Sequence, residues 1–382
     1  MSNAVILDVV RTPIGKRGGA LSTMRADELA ALPLAEIARR GLLPVETLED
    51  VVMGCVTQTG EQGFNIARVA ALMAGYPVTV AGTSVNRQCG SSLQALNFVA
   101  HGIMAGQTDV AVAAGVESMS RIAMGSDAAE ISEKLTERFD IIPQGLSAEL
   151  IAEKWGFSRE ELDAFSSMSH ERALAAQASG RFDSEIFAVH TVTPDGAPIV
   201  VTRDEGPREG STIEKLSKLK PAFKTSGVIT AASSSQISDG AAAALLSSAS
   251  FAAKHGAKPR ARIVATAVSG VDPTIMLTGP IPATKKVLER AGLTIADIDL
   301  FEINEAFASV VLAWAKETGA DLSKTNVNGG AIALGHPLGC SGVRIIGTLL
   351  NELEKRDLRY GLATLCIGFG QGVATIIDRK PQ

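Results

Sequence analysis

Aromatic side chains are scarce in this chain, at 4% of residues, and only five histidines are present. Cysteine occurs four times, at Cys55, Cys89, Cys340 and Cys366. Thiols this few and this scattered do not make a disulfide framework, and without a CxxC pair they do not suggest zinc. Reduced thiols in the cytoplasm are the simplest expectation. Positive charge is not in excess: 36 Lys and Arg stand against 41 Asp and Glu, a formal net charge of −5. That balance argues against a nucleic-acid binder, and an anionic ligand would need a local basic cluster. Long apolar runs are missing, so no segment is expected to span a bilayer. The opening MSNAVILDVVRTPIGKRGG is broken by Asp8 and Arg11 and does not read as a signal peptide.

What the chain does have is glycine, 37 of its 382 residues, which implies many tight turns and close backbone approaches. With 46% hydrophobic and 20% charged residues it should fold, and its length suffices for two or three domains. Short apolar runs (AVILDVV at 4–10, VAVAAG at 110–115, AALLSS at 243–248, ARIVATAV at 261–268, DLFEIN at 299–304, GLATLCIG at 361–368) alternate with amphipathic stretches such as LQALNFVAHGIM and VRIIGTLLNELEK. That alternation predicts α/β layers with buried strands. The order of parts also repeats. LEDVVMG (48–54), SVNRQCGSSLQAL (84–96) and TDVAVAAG (108–115) run as strand, Val-Asn turn, glycine loop, helix, strand. IADIDLFEIN (295–304), NVNGGAIALGHPLGCSGVRII (326–346) and YGLATLCIG (360–368) run the same way. Two similar halves whose equivalent loops meet at one site are expected. The middle, about 119–237, is richer in charge and turns. Within it, 146–180 reads as two helices, the second opened by a Ser158–Glu161 capping box and stopped by Gly180. It is either a surface domain or a lid or ligand-binding insert between the halves.

Cys89, in NRQCGSSLQALNFVAHGIMAG, precedes apolar residues at 93, 96, 99, 100 and 103 and so falls at a helix N-terminus. There the dipole and free N–H groups favour a thiolate and can lower the thiol pKa; a buried structural cysteine is the alternative. His336 sits in GGAIALGHPLGCSG, where glycines at 329, 330, 335 and 339 and Pro337 fix an irregular loop able to aim an imidazole. The other four histidines (101, 170, 190, 255) lack such a frame and are assigned to structure. Cys366 ends a buried strand, where α/β folds build sites, and a thiol can shuttle protons; core packing is its alternative. Asn304 and Glu305 follow the strand DLFEI and either hold a carbonyl oxygen or water, or cap a helix. Cys55 and Cys340 are assigned to structure. Arg203, Arg208, Lys215, Lys218, Lys220 and Lys224 crowd one segment and form either a solvated face or a phosphate-binding rim.

CGSS at Cys89, NEAFA at 304–308, GGAIALGHPLGCSG at 329–342 and CIG at 366–368 together resemble the signature blocks of thiolases. SSSQISDGAAA (233–243) is similar to that family's CoA-binding loop, and VRTPIGKRGG (10–19) to its N-terminal block. The resemblance covers essentially the whole chain and lies nearest the acetyl-CoA acetyltransferase and 3-ketoacyl-CoA thiolase group, with a suggestion of actinobacterial degradative members. It implies a five-layered αβαβα fold of two duplicated halves. The expected boundaries are 1–118 with 238–254 for the first half, 119–237 for an inserted CoA-binding loop domain, and 255–382 for the second half. It implies thiolysis of 3-ketoacyl-CoA, or the reverse condensation, through an acyl-Cys89 intermediate, with acyl-CoA as substrate and no resident cofactor or metal. It implies that His336 activates Cys89 and binds the thioester oxygen with a water held by Asn304. Cys366 would be the acid/base, and the N–H groups of Cys89 and Gly368 a second oxyanion hole. Ser235 and Arg208 match CoA contacts, Phe223, Ala231 and Phe307 its apolar neighbours, and Met276 a residue lining the acyl end.

A condensing enzyme of the same superfamily and an inactive acyl-CoA-binding relative are the rival readings. Cys366 argues against the first, and the joint presence of Cys89, Asn304, His336 and Cys366 against the second. The sequence departs from the family in three places. Phe369 replaces the middle glycine of CxGGG, Ser233 and Ser234 replace Asn-Ala, and 119–145 is shorter than in members with a long tetramerisation loop. A homodimer or a dimer of dimers is expected, with neither nucleic-acid nor membrane partners.

Overall fold

The computed structural model describes residues 3–128 and 130–380. The first part contains β1 (Ala4–Arg11), β2 (Gly15–Lys16), α1 (Ala26–Arg40), β3 (Asp50–Gly54), α2 (Ile66–Met73), β4 (Ala81–Val85), α3 (Ser91–Met104) and β5 (Val110–Ser118). The middle contributes α4 (Glu133–Thr136), α5 (Gln144–Trp155), α6 (Arg159–Ala178), β6 (Val189–Val192), β7 (Pro198–Val201) and α7 (Ile213–Leu216). Next come β8 (Ser238–Ser248), α8 (Ala249–Lys254), β9 (Ala261–Gly270), α9 (Pro280–Ala291), β10 (Leu300–Ile303) and α10 (Ala308–Thr318). The chain ends with α11 (Ala331–Leu334), α12 (Ser341–Lys355), β11 (Tyr360–Ile367) and β12 (Gln371–Asp378).

Local signals placed the helices well. Ser158 accepts from the Glu161 N–H and the Glu161 side chain accepts from Ser158 N, the expected capping box at the start of α6. Proline opens α9 and a left-handed glycine, Gly292, closes it. One boundary differs from the sequence reading. The stretch 233–243, read as a loop, is already strand from Ser238 onward, because β8 is buried along its whole length and runs centrally between two helix layers.

The duplication is visible in the ladders. In the first half the strand order is β4-β3-β5-β8-β1, with two parallel pairings followed by two antiparallel ones. In the second half a parallel bridge at Thr325 leads to β10-β11-β12-β9, with the same sequence of pairings. A short antiparallel contact, Val5↔Arg262 and Ile6↔Ala261, joins the two. Helices α3 and α12 pack between the sheets in one apolar cluster containing Leu93, Leu96, Ile345, Leu349, Ala113 and Leu365. Helices α1 and α2 cover the outer face of the first sheet, and α9 and α10 that of the second. The result is five layers, αβαβα, as expected.

The middle segment clasps both halves. Val189 and Val201 of its hairpin join the core under the first sheet, while Ala148, Leu162 and Phe165 of α5 and α6 join the core under the second. Buried Arg11 is held by Glu185 and Asp204, each at 2.7 Å. Thr348 and Asn351 satisfy the remaining lone pairs of Glu185, so β1, α12 and the middle segment share one satisfied polar knot.

Candidate active site

Helices α3 and α12 are equivalent in the two halves, and their N-termini meet. A Cβ at Gly342 would collide with the backbone of Leu93, and one at Gly115 with Gly339 O, so only glycine allows this approach. The Cys89 turn and the His336 loop are thereby pressed against the ends of β3 and β5. Leu338 packs with Cys89, Val56 and Met119.

Cys89 sits in a tight turn before α3. Gln88 takes φ +44, and Ser91 Oγ accepts from Arg87 N at 2.9 Å while donating to Gln88 O. The thiol is buried, and burial pushes it up to about 11. The N–H groups of Cys89 and Gly368 pull it down, but not enough. The sequence expectation of a lowered thiol is therefore corrected: desolvation outweighs the helix terminus, and Cys89 needs a base to lose its proton.

His336 is also buried and is set by its own loop. Its N–H donates to Gln236 O at 3.0 Å. The Ser341 hydroxyl, which donates to Pro337 O at 2.9 Å, receives His336 Nδ1 at 2.6 Å, so Nδ1 carries the proton. Asn304 Nδ2 donates to Nε2 at 3.2 Å, which agrees with an unprotonated Nε2. Burial, reinforced by Arg344, holds the imidazolium pKa down at about 3, so the ring is neutral. Asn304 caps no helix, since α10 begins at Ala308 with Phe307 before it. Its N–H instead donates to Thr364 O, its side chain faces His336, and its Oδ1 has no partner within the protein.

Cys366 lies one residue from the end of β11, fully buried; burial first and the neighbouring Cys89 second push its thiol up. Gly368 follows the strand, where a Cβ would displace the end of the Gln88 side chain. Phe369 takes φ +57 and Gly370 φ +80 in the turn to β12. The backbone accommodates the phenylalanine, but in the left-handed region, where an L-residue costs about 1–2 kcal/mol. Positions 89, 366 and 368 are thus brought together, as are 304 and 336, and Leu338 links the two groups.

Of the residues matched to CoA contacts, Phe223, Phe307 and Ser235 lie together. The rings of Phe223 and Phe307 meet edge to face at 5.8 Å, and Ser235 N donates to Ala306 O. Phe223 and Ala231 are exposed, while Met276 is buried in the same core as Phe307 and Cys366. Arg208 is exposed, and its backbone N–H donates to His170 Nδ1 at 3.1 Å. Ser233 caps the turn at Thr230, which accounts for serine at that position.

Sequence reasoning missed two residues. Ser341, read only as a helix start, fixes the tautomer of His336. Glu117, buried, accepts from Val56 N, Thr57 N, Gln62 Nε2 and Gly339 N, tying the end of β3 to the His336 loop. A carboxylate inside the apolar run VAVAAGVES was the available signal.

Comparison with known proteins identifies the family. Residues 4–250 match the thiolase N-terminal domain and residues 257–379 the thiolase C-terminal domain. The chain is 46% identical to the 3-oxoadipyl-CoA/3-oxo-5,6-dehydrosuberyl-CoA thiolase of Escherichia coli, over 99% of this chain and 100% of that one. It is 48% identical to the steroid 3-ketoacyl-CoA thiolase FadA6 of Mycobacterium tuberculosis, over 99% and 95%. Its fold superposes on the crystal structure of the Bacillus anthracis acetyl-CoA acetyltransferase with a TM-score of 0.93 at 41% identity, covering 100% of this chain and 99% of that one. The chain belongs to the thiolase family.

Proposed function

We propose that this acyltransferase cleaves 3-ketoacyl-CoA with CoA, or runs the reverse condensation, through an acyl group on Cys89. The observation that carries the reading is the pairing of two buried thiols, Cys89 and Cys366, with the N–H of Gly368 at Cys89, together with a neutral imidazole whose Nε2 is the unprotonated nitrogen and accepts from Asn304.

His336 Nε2 takes the Cys89 proton, and the thiolate attacks the 3-keto carbon. The alkoxide faces the N–H groups of Cys89 and Gly368, an arrangement of donors typically worth on the order of 3–4 kcal/mol each. The C2–C3 bond breaks, its electron pair passing to the thioester as an enolate. Protonated His336 and Asn304 face the enolate oxygen, and the orphaned Asn304 Oδ1 suits a bound water. Cys366 protonates C2, and acetyl-CoA leaves. In the second half, Cys366 thiolate takes the proton of incoming CoA, whose sulfur attacks the acyl carbon. Cys89 departs and recovers its proton from His336. Division into two covalent half-reactions gives ping-pong kinetics.

The CoA moiety would lie along Phe223, Ala231, Ser235 and Phe307, with Arg208 toward its phosphates and Met276 toward the acyl end. CoA thioesters are then substrates, not resident cofactors. We assign 119–237 as the CoA-binding insert and a homodimer or dimer of dimers as the assembly. β4 is an edge strand whose outward Gly82 carbonyl accepts from Asn65, with Phe64 96% and Val78 78% exposed nearby. No helix among the described residues is long and apolar enough to cross a membrane. All four cysteines are free, which supports a reducing, cytoplasmic location. Thiolysis assays across short, long and steroid-derived 3-ketoacyl-CoAs test the activity. CoA-dependent cleavage with parallel-line kinetics is expected; absence of turnover on all of them contradicts it.

A further inference from the structure

Phe369 stands at the tip of the three-residue turn between β11 and β12, just beyond the last pairing, Ile367↔Gln371. Its backbone is in the region that favours glycine, yet its large apolar side chain remains 46% exposed. About half of the ring is left facing outward at the tip, and a non-glycine residue held in this conformation at a site points to use by a ligand. The tip lies where three walls meet. Gly368 abuts Gln88 of the Cys89 turn and Gln144 at the start of α5, while Gly370 abuts the backbone of Val271–Pro273. The last of these walls is tied to the middle segment by Thr274 Oγ1 donating to Asp140 O at 2.8 Å. Asp140 is flanked by Phe139, 38% exposed, and by the half-buried Ile141 and Ile142.

We propose that Phe369 is a specificity-determining residue whose ring forms an apolar wall for the acyl group beyond the carbon bonded to Cys89, selecting bulky apolar acyl groups over short or carboxylate-ended ones. This rests on the thiolase reading above. The shared chemistry is apolar bulk, supplied by either a long alkyl chain or an alicyclic ring.

The test measures kcat/KM for thiolysis by the full chain and by its Phe369→Gly and Phe369→Leu variants. The substrates are acetoacetyl-CoA, 3-oxoadipyl-CoA, 3-ketodecanoyl-CoA and a cyclohexyl-bearing 3-ketoacyl-CoA. Phe369→Gly should lose about tenfold on the two bulky apolar substrates and about twofold on the other two, the scale expected for one apolar contact in a pocket. Phe369→Leu should recover the bulky substrates to within about threefold. Loss confined to the alkyl or to the cyclohexyl substrate supports the proposal and identifies the source. Phe369→Gly should also unfold no earlier than the parent, because glycine relieves the left-handed backbone. An equal loss on all four substrates, no loss on any, or a destabilised glycine variant overturns the proposal. Failure of the thiolase reading is distinguishable, since the unsubstituted chain would then cleave none of the four; that outcome overturns this proposal as well.

Discussion

Cys89 and Cys366 are neighbouring buried thiols, each held protonated by burial, and Cys366 further by Cys89. In the proposed mechanism Cys89, with two N–H groups to receive charge, carries the acyl group, and Cys366 carries the proton. Cys366→Ala should therefore lower thiolysis by about 10²–10⁴-fold, the usual worth of a positioned acid/base, while still allowing slow acylation of Cys89. Steady-state rates set beside adduct formation check this; unchanged turnover would remove Cys366 from the mechanism. His336 yields a pH prediction. Its folded pKa is about 3 against an ordinary value near 6.5, so between those values the unfolded chain binds a proton that the folded one refuses. Stability from this source is complete above pH about 6.5 and is lost as pH falls toward 3. Buried His170, held down to about 4, acts in the same direction. Urea titrations from pH 8 to 4 should show stability falling with acidity, and less steeply in His336→Gln. An identical slope in the variant would contradict the assignment.

At the scale of elements, the site is a consequence of two helix starts being forced together. The apolar spacing that located α3 and α12 was plain in the sequence, and so were the glycine loops ahead of them. What sequence did not reveal is that Gly342 lies against Leu93, because that contact depends on how two sheets stack. Ser341 was likewise legible as a helix residue but not as the acceptor that fixes the His336 tautomer. The Cys89 pKa was misjudged for a related reason: the helix terminus is local and readable, whereas desolvation comes from Leu338, Met119 and Val56, distant in the chain. Gly342→Ala should cost about 1–3 kcal/mol by overpacking the backbone contact. Chemical denaturation measures it, and a neutral result would mean that the helix starts separate easily.

For the whole molecule, the repeat read from two stretches of sequence proved to be the same order of parallel and antiparallel pairings in each half. The ladder between Val5–Ile6 and Ala261–Arg262, which joins the halves into one hydrogen-bonded sheet path, has no sequence signature. That the middle segment lies between the halves was one of its two sequence readings, but the contacts that hold it, such as Arg11 with Glu185 and Asp204 far along the chain, were hidden. The edge position of β4 and the exposed Phe64 carry the assembly prediction. Phe64→Asp should shift sedimentation from dimer or larger toward monomer, and an unchanged profile would place the interface elsewhere.

Every step of the proposed mechanism depends on Cys89 carrying the acyl group. Mass spectrometry of the intact chain after mixing with acetyl-CoA, followed by peptide mapping, reads this directly. One acetyl group on the peptide holding Cys89, absent in Cys89→Ser, is the predicted result; an unmodified chain, or acetylation at Cys366 alone, would contradict it.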